Sequence, residues 1–356
     1  MREGWYKSRP GMASLGDMHD QIAATLPRDG KVVYLDYAFT TNVGDQLIVL
    51  GTLKFFERHG ITIKLARNIH NVEDAGPAVA PGDVLVFHGG GNFGDIYPHF
   101  QQLRERIIAA FPENRVVIMP QTVHFDDKAE LDRSCRAIAS HPAITLFVRD
   151  RHSLAIVKPY FGERARLVPD IAHQLWPSLW EDVAQEAGNA SSEPLLLLRR
   201  DAEQAAIPAA IAGREDRFTD WDVLISRRYR IERAIIRGQY GAARRGVRLY
   251  DLDQAYFAAM RREVIRVARG LYRHPLWITS RMHGAILGLL LGKPVFALDN
   301  SYGKLSSYFD AWGQWTAPVK LVTSPQEAAE MMEFVHKASV GDESMLWTAY
   351  RDRFGR

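Results

Sequence analysis

Short runs rich in Val, Ile and Leu recur along the first half of the chain, interleaved with stretches that carry the spacing of an amphipathic helix. Lys31–Tyr37, Ile61–Ala66, Asp83–His88, Arg115–Gln121, Ile144–Val148 and Ala165–Val168 read as strands. Gly44–His59, His99–Phe111, Lys128–Ser140 and Arg151–Tyr160 read as helices among them. Strands this apolar suit a parallel sheet covered on both faces, so the expected fold is α/β and doubly wound. A small, polar stretch, Ala184–Glu193, reads as a linker. A second series then starts at Leu195–Leu198, with strands at Val247–Leu252, Leu276–Thr279 and Val295–Leu298. Its helices lie near Tyr256–Arg269, from Met282 and from Pro325. Two Rossmann-like doubly wound domains are therefore expected, residues 1–185 and 186–356, facing each other across a cleft at the carboxyl ends of their sheets. The last helix is expected to pack back on the N-terminal domain.

Composition narrows the class. A chain of 356 residues that is 47% hydrophobic and 24% charged buries a large core and is not a disordered or coiled-coil protein. Lys+Arg 45 against Asp+Glu 42 is too even to imply a nucleic-acid partner, and none is expected. Cys135, the lone cysteine, fits a reducing compartment. No apolar run approaches the ~20 residues of a membrane span, and the first residues lack an export signal, so a cytoplasmic location is expected. Histidines are scattered and no H-E-x-x-H occurs, so no metal site is expected.

Four motifs sit at strand ends. His88-Gly89-Gly90-Gly91-Asn92-Phe93-Gly94 satisfies G-x-G-x-x-G, yet the next strand ends at Met119-Pro120-Gln121 without the carboxylate that a dinucleotide ribose requires. It also resembles a lipase oxyanion loop, but no G-x-S-x-G elbow accompanies it. A backbone-lined loop approached closely by a ligand is the favoured reading over a plain tight turn. Ser280-Arg281-Met282-His283-Gly284 turns a strand into a helix. Ser280 is the expected N-cap, which places Arg281 and His283 in the first turn, where free N–H groups favour an anion. Val148-Arg149-Asp150 ends a buried strand in an arginine that either Asp150 or a ligand must answer. Asn42-Val43-Gly44-Asp45 opens the first helix, and taken alone reads as capping. Asp170 after Pro169 is similarly ambiguous, and Lys304 follows another strand end where it would reach a phosphate.

Arg227–Arg248 holds eight arginines against one acid, Glu232, with Tyr229, Ile231, Ile235 and Ile236 interleaved. It reads either as a surface that meets anionic lipid headgroups or as a solvated insertion.

Taken in order, these motifs resemble the polysaccharide pyruvyl transferase family. The resemblance rests on Asn42-Val43-Gly44-Asp45, on His88 through Asp95, and on Pro120-Gln121-Thr122. It continues through Val148-Arg149-Asp150, Pro169-Asp170, Leu198-Arg199-Arg200-Asp201, Ser280 through Gly284, and Asp299 through Lys304. Together they span most of the chain. The resemblance implies a GT-B-like pair of domains, with the N-terminal one on the acceptor side and contributing to the donor site, and the C-terminal one on the donor side. It implies transfer of the pyruvyl group of phosphoenolpyruvate to two hydroxyls of a sugar as a ketal, with no cofactor beyond that co-substrate. Arg149, Arg281, His283 and Lys304 would bind the donor, and Asn42, Gly90, Gly91, Asn92 and Gln121 would line the acceptor loop. His283 would act as the acid, with Asp45 or Asp95 as the base. The acceptor would be a lipid-linked precursor; Arg227–Arg248 matches no family motif, and its meeting the inner face of the cytoplasmic membrane is an expectation from its own residues alone. A glycosyltransferase of the same architecture using a nucleotide sugar, and a non-catalytic component of a polysaccharide assembly complex, are the alternatives.

Overall fold

The computed structural model of the chain describes residues 10–27, 31–72, 78–185, 191–199, 211, 213–243, 250–299, 303–316, 319–340 and 343–354. The first sheet holds seven parallel strands: β1 (Lys31–Leu35), β2 (Thr62–Arg67), β3 (Val84–Phe87), β4 (Gly90–Gly94), β5 (Val116–His124), β6 (Ile144–Val148) and β7 (Ala165–Leu167). Their order is β2-β1-β3-β5-β6-β7, with β4 paired to the last residues of β5. The second sheet, also parallel, runs β11-β10-β9-β8 from β8 (Leu195–Leu197), β9 (Trp277–Thr279), β10 (Val295–Leu298) and β11 (Val319–Val322). The principal helices are α1 (Pro10–Asp17), α2 (Val43–Arg58), α3 (Pro98–Ala110), α4 (Lys128–Ala139), α5 (Arg151–Phe161), α6 (Arg227–Ala243), α7 (Leu252–Tyr272), α8 (Met282–Leu290), α9 (Lys304–Trp312), α10 (Pro325–Val340) and α11 (Glu343–Phe354).

Strand periodicity distributes the first sheet between two cores. Val33 and Leu35 pack with Leu85 and Phe87 on one face, and Val32 and Tyr34 with Val84 and Val86 on the other. That second core is continuous with Leu195, Leu197, Trp277 and Val295 of the second sheet. Helices α2 and α8 lie in this shared layer, and Gly284 through Leu290 of α8 are buried throughout. A helix walled by protein on every side has no solvent face, which is why α8 reads as almost wholly apolar.

Three local expectations change. Gly90–Gly94 is not a loop but strand β4, lying so close to β5 that a Cβ on Gly94 would fall 1.6 Å from His124 O. No side chain fits at Gly94 between these backbones, and Gly90 takes a φ of 127° that other residues rarely adopt. Leu252, expected in a strand, is the first residue of α7, because Asp251 caps the helix by accepting from Asp253 N and Gln254 N. Residues 247–249 of that expected strand lie outside the described residues. The helix from Pro325, α10, packs on the second sheet rather than back on the first, with Phe334 against Phe296, and α11 joins it there through Leu346 and Tyr350. The Tyr350 hydroxyl donates to Val295 O at 2.8 Å. It is α1 that bridges the two halves, with Gly11 seated against Trp315.

Candidate active site

A cavity of about 440 Å³ opens where α2, β4 and α8 begin, and it gathers residues from both sheets. Asn42, Asp45, Gly90, Gly91, Asn92, Arg149, Arg281 and His283, all singled out from the sequence, line it. Asn42 caps α2 by accepting from Gly44 N at 2.9 Å. Helix α8 follows β9 and begins at Met282, as expected, but with a different N-cap. Arg281, not Ser280, stands at its N-cap, because the Ser280 hydroxyl already accepts from Arg199 N and the Thr279 hydroxyl accepts from Arg281 N.

Electrostatics in the cavity turn on Asp170. Its Oδ2 accepts from Arg149 Nη1 at 2.6 Å and lies 3.3 Å from His283 Nε2. Burial pushes this carboxyl up, but His283 and Arg149 pull it further down, well below the usual carboxylate range. Arg149 is thus answered by Asp170 and not by its neighbour Asp150, which instead caps α5 through Ser153 N. The Arg149 Nε also donates to the Thr122 hydroxyl at 2.8 Å. Arg281 makes a two-point ion pair with Asp220, at 2.9 and 2.5 Å. Asp45 is raised above the ordinary range by burial, opposed by His283, Arg149, Arg281 and Arg199 in that order. One carboxyl therefore sits within the field of four basic groups drawn from both halves of the chain.

Other sequence candidates fall elsewhere. Asp95, expected as an alternative base, does not line the cavity; its Oδ2 accepts from Asp126 N and Asp127 N at 2.8 and 2.9 Å and so holds the loop before α4. Gln121 is fully buried behind the glycine strand, donating to His88 O at 2.7 Å. The backbone of Lys304 opens α9, but its side chain lies outside the described residues. Among the described residues, no group of three or more His, Cys, Asp and Glu is placed to hold a metal ion. Sequence reasoning assigned no role to Arg199, Asp170 or Thr122, although each stands inside a quoted motif. It missed Asp36 and Asp220 altogether. For Asp36 the usable signal was position alone, at the carboxyl end of a parallel strand.

A Rossmann-like α/β protein with an arginine-lined cavity between parallel sheets is the class that fold and site define. The polysaccharide pyruvyl transferase family model matches residues 42–302, and the chain belongs to that family, which makes it a transferase enzyme. It is 31% identical over 316 residues to EpsO of Bacillus subtilis, whose name carries the words pyruvyl transferase, covering 88% of this chain and 95% of that one. It is 32% identical over 231 residues to Pyruvyl transferase 1 of Schizosaccharomyces pombe, covering 64% of this chain and 54% of the relative. The fold resembles a crystal structure of a functionally uncharacterized protein from Klebsiella pneumoniae, with a TM-score of 0.59 at 18% identity, over 86% of this chain and 98% of that one.

Proposed function

We propose that this enzyme transfers the pyruvyl group of phosphoenolpyruvate onto two hydroxyls of a sugar in a cell-surface or exopolysaccharide precursor, forming a ketal and releasing phosphate. The observation that carries this reading is the convergence of Arg149, Arg199, Arg281 and His283 around Asp45. A donor bearing both a carboxylate and a phosphate suits that field, and planar guanidinium groups match both anions. In this scheme His283, at the N-terminus of α8 and held by Asp170, protonates the vinyl carbon so that the adjacent carbon becomes electrophilic. Asp45 rather than Asp95 is the carboxyl within reach of these groups. The enzyme uses no cofactor beyond its co-substrate and needs no divalent metal, because arginines answer the anions. The two parallel sheets meeting at one cavity support a GT-B-like arrangement, divided near residue 185, with the donor held chiefly by the second half.

The acceptor is lipid-linked in this reading, and the protein works at the inner face of the cytoplasmic membrane. Helix α6 supports this, since it exposes Ile231 (49%) and Ile235 (54%) among the exposed Arg227, Arg228, Arg230 and Arg237. Residues 244–248 of the arginine stretch lie outside the described residues. Among the described residues no helix is long and apolar enough to cross a membrane.

Melting the purified protein with phosphoenolpyruvate, with nucleotide sugars and with chelator tests the donor assignment. Stabilisation by phosphoenolpyruvate that survives chelator is expected. Stabilisation by a nucleotide sugar alone would favour a glycosyltransferase instead.

A further inference from the structure

Two cavity residues play no part in holding the donor. Asp36 and His88 both line the cavity, and each is only 3% exposed. Asp36 follows β1 with φ at 58°, the only positive φ outside glycine among the described residues. Its neighbours are tied into the sheet, with His88 N donating to Leu35 O at 2.9 Å and Tyr37 N donating to Arg67 O at 3.3 Å. The left-handed turn is thereby imposed on Asp36, a residue type that adopts it more readily than most. Its Oδ2 lies 4.0 Å from Arg104 Nη2, while that guanidinium also donates to Gln101 and, at 2.8 Å, to Asn92. Its Oδ1 has no hydrogen-bond partner among the described residues. His88 is similar, since Nδ1 is paired with the Tyr34 hydroxyl at 2.7 Å while Nε2 has no partner among them. Buried polar atoms left this way are costly unless a ligand supplies the missing hydrogen bonds.

Resting on the pyruvyl-transfer reading above, we infer that Asp36 binds an acceptor hydroxyl and takes its proton, with His88 holding the adjacent hydroxyl. A saccharide matches the surroundings, because the aromatic residues Tyr37, Phe39 and Trp221 also line the cavity beside these polar groups. Burial, opposed by Arg104, places the Asp36 carboxyl at about 7, where a base exchanges protons most effectively near neutral pH. Burial also drives His88 down to about 3, so its imidazole meets the sugar as a neutral group. In the first addition the hydroxyl oxygen bonds to the donor's C2, its proton passes to Asp36, and the vinyl CH2 becomes CH3 with a proton from His283. In the second, the bond from C2 to the phosphate oxygen breaks and the other hydroxyl oxygen takes its place. Its proton leaves with the phosphate. Proton return from Asp36 to His283 through solvent closes the cycle.

The test uses Asp36→Asn, which accommodates the same φ, with phosphate release measured from phosphoenolpyruvate and methyl glycosides of galactose, glucose and mannose. The variant is expected to melt like wild type and to be stabilised equally by phosphoenolpyruvate. Its phosphate release is expected to fall by about 10²–10⁴-fold. Should it be recovered unfolded, Asp36→Gly, which tolerates a left-handed φ better still, carries the same expectation. A folded variant with wild-type turnover overturns the inference, as does one that has lost its stabilisation by phosphoenolpyruvate. A wild type that releases no phosphate with any of these glycosides overturns the transfer reading itself, and the role of Asp36 with it.

Discussion

Gly44 and His283 stand so close that a Cβ built on the glycine would lie 2.9 Å from the imidazole Nδ1 and 3.0 Å from the histidine Cβ. One residue opens α2, packed on the first sheet, and the other stands in the first turn of α8, beside the second. The contact joins two motifs 239 positions apart in the sequence. It also gives the glycine a function that helix propensity alone does not explain, namely to leave room for a histidine at the cavity.

Gly44→Ala should therefore act through His283. The added methyl displaces the imidazole by a few tenths of an ångström or more, and misplacement of a reacting group by about 1 Å can lower rate by about 10²-fold. Turnover should fall clearly while the melting temperature moves little. Kinetics and thermal melts on one preparation check this; wild-type turnover would show that the imidazole position does not matter.

His283→Asn and Arg281→Ala should separate chemistry from binding. The first should leave the fold and much of the donor affinity intact while turnover drops by about 10²–10⁴-fold. On the proposed function, the second removes a charge that the donor meets in ground and transition state alike, so donor affinity should fall along with rate. It also strips Asp220 of its two-point partner, so some loss of stability is expected. A stable, donor-binding His283→Asn with wild-type turnover would move the acid role to another group.

Asp170→Asn should be costly, because it leaves the Arg149 guanidinium buried without its carboxylate. Removing one partner of a buried pair typically costs about 3–5 kcal/mol. The sign with pH follows from the depressed carboxyl. Asp170 contributes stability above the unfolded value of about 4 and loses that contribution as pH falls below it. Denaturant unfolding from pH 7 down to pH 3 should show the wild type losing stability in the acid limb more steeply than the variant. Parallel curves for the two proteins would contradict the assignment.

Ile231→Ser combined with Ile235→Ser should weaken binding to anionic vesicles, because both side chains lie exposed on α6 among arginines. Each basic residue near such a surface contributes about 1 kcal/mol, so added salt should also release the wild type. Co-sedimentation with anionic and neutral vesicles is the measurement. Equal recovery with both, at any salt, would make the helix a solvated insertion.

Much was written locally in the chain. The apolar runs at Lys31–Leu35, Val84–Phe87 and Ile144–Val148 place strands within a residue or two, because a strand buried on both faces tolerates little else. Motif order likewise named Arg149, Arg281 and His283 as cavity residues, since strand ends in a parallel sheet converge on one edge. Partners were not legible. Arg149 stands beside Asp150 in the sequence but pairs with Asp170, because Asp150 is spent on capping its own helix. Asp36 belongs to no motif, and it stands out only when β1, the glycine strand and Arg104 close around it and leave one carboxylate oxygen without a partner among the described residues. Hydrophobic periodicity is a property of neighbours along the chain and survives without tertiary context. Ion pairing and desolvation depend on which distant groups share a buried space, and only the packing of the two sheets around α2 and α8 decided that.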